Sequence, residues 1–210
     1  MDFIISLGEK LYEIIYAIKW RLWRIKTSVF YKRVFGSIGK RSTICKPMYI
    51  QHPENIYMGE HVRVREFARL ETEVEYNEQK FTPKIIIGDD VGFEQGLHMT
   101  CAESIKIGND VSIMAYVMIT DIDHEYTNIN ENVINQKLIT NPVEIGDGCF
   151  IGLGSRIMGG VKLGKHCVVG TNAVVMKGQY PDYCVLVGNP AKIIKKYDFN
   201  KLEWVRYVEK

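Results

Sequence analysis

The chain has no C-x-x-C pair, and its cysteines number five, at Cys45, Cys101, Cys149, Cys167 and Cys184. An odd count without paired spacing argues against a disulfide framework or a zinc site and points to a reducing compartment. No apolar run approaches the roughly 18–20 residues that span a bilayer. Asp2 stands ahead of the first apolar residues with no small-residue cleavage motif, so the N-terminus does not read as a signal peptide. Strong net charge is absent too, at +2 over 210 residues, and gives no general argument for nucleic acid. One local absence carries more weight. No acidic residue lies between Ile14 and Pro53, whereas Lys19, Arg21, Arg24, Lys26, Lys32, Arg33, Lys40, Arg41 and Lys46 all do.

What the chain has instead is a period of six. From residue 143, aliphatic side chains fall at Ile145, Ile151, Ile157, Leu163, Val169 and Val175. A small or modest residue precedes each by two, and Gly follows four of them, as at Gly146 and Gly152. A helix would need period 3.6, and a plain strand would not fix the phase of the glycines. The same phase runs through Ile87, Phe93 and Met99, through Ile107, Ile113 and Ile119, and more weakly through Met58, Val64 and Leu70; Ile38, Ile44, Ile50 and Ile56 are placed at its start. Short strands separated by tight turns, with inward residues stacking coil on coil, satisfy that pattern. The series breaks at Glu71–Thr82 and at Thr120–Pro142, which read as excursions, and loops leaving a rigid solenoid are where function concentrates.

The flanks differ. Residues 1–35 predict an amphipathic helical segment with Ile4, Leu7, Leu11, Ile14, Ile18 and Ile25 on one stripe. Two readings of residues 3–33 stay open: packing on the solenoid or a neighbouring subunit, or peripheral contact with an anionic inner leaflet. Residues 36–195 form the solenoid domain. Residues 196–210 are a tail, with a short capping helix expected over Asn200–Val208 behind Asp198.

The stretch Ile107–Tyr126 (IGNDVSIMAYVMITDIDHEY), together with Val143–Ile194 ending VGNPAKII, resembles the hexapeptide-repeat sugar O-acetyltransferases. The pattern is closest to those acting on capsule, lipopolysaccharide and colanic-acid sugars, and similar to galactoside and maltose acetyltransferases. The resemblance implies a mainly β fold, a left-handed parallel β-helix, and direct acetyl transfer from acetyl-CoA without a metal. It implies a homotrimer with a sugar or glycan acceptor, lipid-linked, nucleotide-linked or free, and no nucleic acid. The expected location is the cytoplasm, at the inner face of the membrane in the second reading of the helix.

Acetyl transfer to a hydroxyl needs the proton removed as the oxygen attacks, and imidazole is suited to this near pH 7. The resemblance puts that base at His124 in D-I-D-H-E-Y, with Asp121 or Asp123 expected to orient it. It places the oxyanion donor at the Leu153 N–H, after an aromatic wall at Phe150, where many relatives carry Trp. Gly152 and Gly160 would let the pantetheine arm approach the backbone, Thr171 would donate to it, and Lys177, Lys192 and Lys195 would face the phosphates. Glu94 and His98 are candidate sugar contacts, although Glu94 stands where the galactoside enzymes have Asn. No motif gives the cysteines a base, so an acyl-cysteine is not expected. Three other readings are weighed: an antibiotic acetyltransferase or amino-sugar N-acetyltransferase, a zinc lyase like the γ-class carbonic anhydrases (which needs a third, closely spaced His), and a non-catalytic trimeric scaffold.

Overall fold

The computed structural model describes residues 2–208, with side chains from Gly8 onward. The six-residue period becomes three sheets of seven, nine and six strands that wrap one core, parallel except for the last two strands of the nine-stranded sheet. On the first face Ile38, Met58, Ile87, Ile107, Ile145, Leu163 and Tyr180 stand in register. The second face stacks Ile44, Val64, Phe93, Ile113, Ile151, Val169 and Leu186. The third stacks Ile50, Leu70, Met99, Ile119, Ile157 and Val175. Nearly all of these side chains are buried, so each strand contributes to a column of aliphatic contacts rather than to a local pair. Cys149, Cys167 and Cys184 fill one corner, with the Cys167 and Cys184 sulfurs 3.5 Å apart.

The phase at the start of the series differs from the reading above. Ile56 pairs with Ile85, and Met58 pairs with Ile87, so Met58 holds the column position. A left-handed residue at His52 and a short 3-10 turn at Pro53–Asn55 insert two residues ahead of it.

The expected C-terminal helix is also corrected. Ala191–Asp198 and Glu203–Arg206 form antiparallel strands that complete the second face. Asp198 Oδ1 does accept the N–H groups of Asn200 and Lys201, at 2.9 and 3.3 Å, as a helix cap would. Here the bonds close a hairpin turn with Leu202 at φ +56°. Trp204 then packs on Tyr197, within a cluster that includes Phe199 and Tyr183.

The N-terminal helix runs Asp2–Lys26 and continues through a π-helical turn at Thr27–Tyr31 to Val34. Buried Thr27 fastens it to the first coil: its hydroxyl donates to Trp23 O at 2.8 Å and accepts the Ile44 N–H at 2.9 Å. The side chains of Ile4 and Leu7, assigned to the apolar stripe, lie outside the described residues.

Candidate active site

Both excursions leave the solenoid at the corner between its third and first faces, and both are antiparallel hairpins. Glu75–Tyr76 pairs with Gln79–Lys80. Ile122–His124 pairs with Leu138–Thr140, which sets His124 opposite Leu138. One coil separates the two, and polar side chains of the first brace the second. Gln79 Nε2 donates to Leu138 O at 3.2 Å, and Gln79 Oε1 accepts the Leu138 N–H at 2.7 Å. Asn77 Nδ2 donates to Ile134 O at 2.9 Å, and the Tyr76 hydroxyl donates to the same carbonyl.

The half-buried ring of His124 meets Tyr76 edge-on, centroids 5.6 Å apart. It opens on a cleft of about 260 Å³ lined by Glu71, Glu73, Thr100, Thr120 and Asp123 among others. Glu71 is held by Arg69 through contacts of 2.6 and 2.7 Å, and Thr100 Oγ1 donates to Thr120 Oγ1 at 2.9 Å. Carboxylates and hydroxyls around one imidazole make a pocket fit for a polyhydroxylated acceptor. Glu71, Glu73 and Tyr76 were not foreseen; their one signal in the sequence was that they lie in the first break of the repeat.

The two aspartates beside His124 have other work than orienting it. Asp121 is fully buried. Its carboxylate accepts the N–H groups of Ala102, Glu103 and Ser104 at 2.7–2.8 Å, and the Cys101 thiol donates to it. Asp123 Oδ1 accepts the backbone N–H of His124 at 2.8 Å. The His124 Nδ1 is buried with no protein partner, so neither carboxylate fixes the tautomer. Burial, followed by the charge and hydrogen bond of Asp121, pushes the Cys101 thiol well above its ordinary range, so this neighbour of the cleft is a poor nucleophile.

His98 lies on the outer side of the third face, two residues before Thr100 on the same strand. Burial lowers its pKa, as do the guanidinium groups of Arg69 and Arg156, while Glu71 opposes them. Glu94 falls elsewhere: it pairs with Arg65 at 3.3 Å in a crevice shared with Trp20 and does not line the His124 cleft.

The residues expected to hold the cofactor divide between two edges. Leu153 and Thr171 occupy successive turns at the corner of the second and third faces, where Asn172 N donates to Leu153 O at 2.8 Å. Neither Leu153 nor Thr171 donates its own N–H to a partner among the described residues, and Gln95 and Ala115 repeat this in earlier coils at that corner. The corner therefore offers a ladder of free N–H donors, the group that an oxyanion or an amide carbonyl requires. A Cβ on Gly152 would stand 2.6 Å from Val169 O and 2.7 Å from Thr171 N, so this close turn needs glycine. Phe150, exposed, is in register with Val168, Val185 and then Lys195 across the second face, and Lys192 lies opposite Val187 on the same hairpin. Gly160 and Lys177 belong to the other edge, beneath the His124 hairpin, where Lys177 Nζ donates to Asn141 Oδ1 at 2.6 Å. The free donors and the close glycine turn thus lie at one corner, Lys192 and Lys195 on the second-face hairpin, and Lys177 on the opposite edge, bonded to Asn141.

Residues 142–177 match the family model for the hexapeptide repeat of succinyl-transferase. A putative lipopolysaccharide biosynthesis O-acetyl transferase of Escherichia coli K12 is 30% identical over 166 residues, which is 75% of this chain and 80% of that protein. A probable acetyltransferase of Mycobacterium tuberculosis is 34% identical over 125 residues, or 60% of this chain; the match spans only 38% of that relative's length. Among solved structures, AntD, an N-acyltransferase from Bacillus cereus in complex with dTDP and 3-hydroxybutyryl-CoA, superposes with a TM-score of 0.68 at 20% identity, covering 83% of this chain and 90% of its own. A maltose O-acetyltransferase from Clostridium difficile 630 gives 0.52 at 24% identity, covering 87% and 84%. Repeat, coil stacking and relatives agree: this chain belongs to the hexapeptide-repeat acetyltransferases, built on the left-handed β-helix.

Proposed function

We propose that the chain transfers the acetyl group of acetyl-CoA to a hydroxyl of a sugar in the biosynthesis of a surface polysaccharide, with His124 as general base. The observation that carries this reading is the His124 cleft, where one imidazole faces carboxylates and hydroxyls. In the proposed step His124 takes the proton of the acceptor hydroxyl. The oxygen attacks the thioester carbon, and the developing oxyanion is met by an N–H such as that of Leu153. The carbon–sulfur bond then breaks, and the protonated imidazole returns its proton to the leaving thiolate, which releases coenzyme A. Bond formation is direct, with no acyl-enzyme.

In one chain His124 and Leu153 stand on different edges of the prism. A homotrimer in which the His124 edge of one copy faces the Leu153 edge of the next would close the site, and that assembly is part of the proposal. Its location is the cytoplasm, in keeping with five free, buried thiols. A second reading, N-acetylation of an amino sugar, draws support from Glu73 and Asp123, cleft carboxylates without an ion pair among the described residues, which favour a cationic amine at the acceptor position.

Release of free thiol from acetyl-CoA, followed with a panel of sugars, amino sugars and bacterial glycans, tests both readings. His124→Ala is expected to lose about 10²–10⁴-fold in kcat with coenzyme A binding intact. An enzyme active on the same acceptor and indifferent to the substitution would refute the mechanism.

A further inference from the structure

The N-terminal helix shows the body the side opposite to the one expected of an amphipathic helix. At about 100° per residue, Tyr16, Trp20, Trp23 and Thr27 share one side, and that side meets the solenoid. Tyr16 takes a hydrogen bond from Arg65 at 3.4 Å, Trp20 enters the crevice formed with Arg63 and Arg65, and Thr27 is bonded to Ile44. The aliphatic stripe faces away: Leu11 is 57% exposed, Ile18 50%, Leu22 58% and Ile25 57%.

Cations flank that stripe. Lys19 and Lys26 fall on one side of it by the helical period, Lys10 and Arg21 on the other. Where the helix meets the first coil there is a pocket of about 520 Å³. Its floor includes Ile25 and Ile38, and its rim carries Arg21, Arg24, Lys32, Lys40 and Arg41. No carboxylate lines it, and none of these five cations forms an ion pair among the described residues. Among the described residues no helix is long and apolar enough to cross a membrane.

We propose that this helix lies on the surface of an anionic bilayer, its aliphatic stripe among the acyl chains and its basic pocket on a phospholipid phosphate. A surface that is apolar along its crest and cationic on both flanks matches the interface between headgroup and acyl chain. The pocket adds to this a place where several cations converge on one phosphate above an apolar floor. The inference is independent of the acetyl-transfer reading, and its test reads binding rather than turnover.

The full chain is sedimented with vesicles of phosphatidylcholine, and with vesicles that also contain phosphatidylglycerol, while its oligomeric state is followed by light scattering. Binding to the anionic vesicles alone is expected. Ile18→Glu with Leu22→Glu should weaken it by at least about 100-fold, since two aliphatic side chains no longer enter the bilayer. Arg24→Gln with Arg41→Gln should weaken it by about 30-fold, the attraction of two cations to an anionic surface, with oligomeric state and melting temperature unchanged in both variants. Absence of vesicle binding by the wild type, equal binding to neutral vesicles, or dissociation of the oligomer by the glutamate pair would overturn the proposal; the last would assign the stripe to a second copy of the chain.

Discussion

Gln79 holds Leu138 from two directions, donating to its carbonyl at 3.2 Å and accepting its N–H at 2.7 Å. Leu138 is the residue paired with His124. A side-chain amide of the first hairpin thus takes the place of a missing strand beside the second and fixes the height of the imidazole above the cleft. Gln79 bonds the backbone of Leu138 and not the His124 ring, so it is a positioning residue. Gln79→Ala should lower kcat by about 10–100-fold, the effect of a base displaced by a fraction of an ångström to an ångström, with KM for acetyl-CoA unchanged. Steady-state kinetics on the acceptor found by the panel separates the two parameters. An unchanged kcat would show that the hairpin holds its place without this brace.

Asp121 supports the same hairpin from below. Three backbone N–H groups of the preceding coil end on its buried carboxylate. Asp121→Ala leaves those donors without an acceptor, at a cost of about 3 kcal/mol, which lowers the melting temperature by roughly 6–12 °C in a chain of this size. The contrast with His124 is the informative part. Loss of Asp121 should cost thermal stability first, with the pH profile of the remaining activity retained. A variant that melts like wild type but has a shifted pH profile would return Asp121 to the role of His partner.

Much of the fold could be read from the sequence because every inward position of a β-helix repeats a chemical choice. Ile145, Ile151 and Ile157 each predict the next, and each sits in the column assigned to it. The errors arise where that redundancy stops. Two residues inserted around Pro53 shift Ile56 out of the column, and nothing periodic marks the shift. Asp198 makes the bonds of a helix cap, yet Tyr197, Phe199 and Trp204 gain more by packing across a hairpin. His124 stood out because its motif is local. Its supports did not, because Gln79 and Leu138 are 59 positions apart and neither residue type announces the contact. Adjacency to His124 in sequence says little about where a carboxylate points, and Asp121 and Asp123 accept backbone N–H groups and not a ring nitrogen.

His98 provides a pH test that does not depend on the substrate. Burial, Arg69 and Arg156 hold its folded pKa below the ordinary 6.5. Below that pH the unfolded chain takes up a proton that the folded chain refuses. Stability therefore rises with pH through the window between the lowered pKa and 6.5, and is lost as pH falls below it. His98→Gln removes this term. Thermal unfolding of wild type and variant at about pH 7.5 and about pH 5.5 should show a smaller acid-side loss in the variant. Equal losses would mean that neither burial nor the guanidinium groups lower the His98 pKa in solution.

Glu73 bears on the choice between the two acceptor classes. Arg69 compensates Glu71 at 2.6 Å, whereas Glu73 forms no ion pair among the described residues and accepts only the Glu75 N–H, at 3.4 Å. With Asp123, whose Oδ1 accepts the His124 N–H at 2.8 Å, it is one of two carboxylates lining the cleft that form no ion pair among the described residues. For a neutral sugar, Glu73→Gln exchanges a charged acceptor for a neutral one, and the acceptor KM should rise by only about 3–10-fold, since a hydrogen bond survives. For an amino sugar the substitution removes an ionic partner, and the rise should approach about 100-fold. KM for acetyl-CoA should stay constant in both cases, because the residues proposed to hold the coenzyme lie elsewhere. Measuring Glu73→Gln with a hydroxyl and an amine acceptor of the same ring therefore distinguishes O- from N-acetylation by the ratio of the two effects. An acceptor KM unmoved for either class would place the sugar outside this cleft.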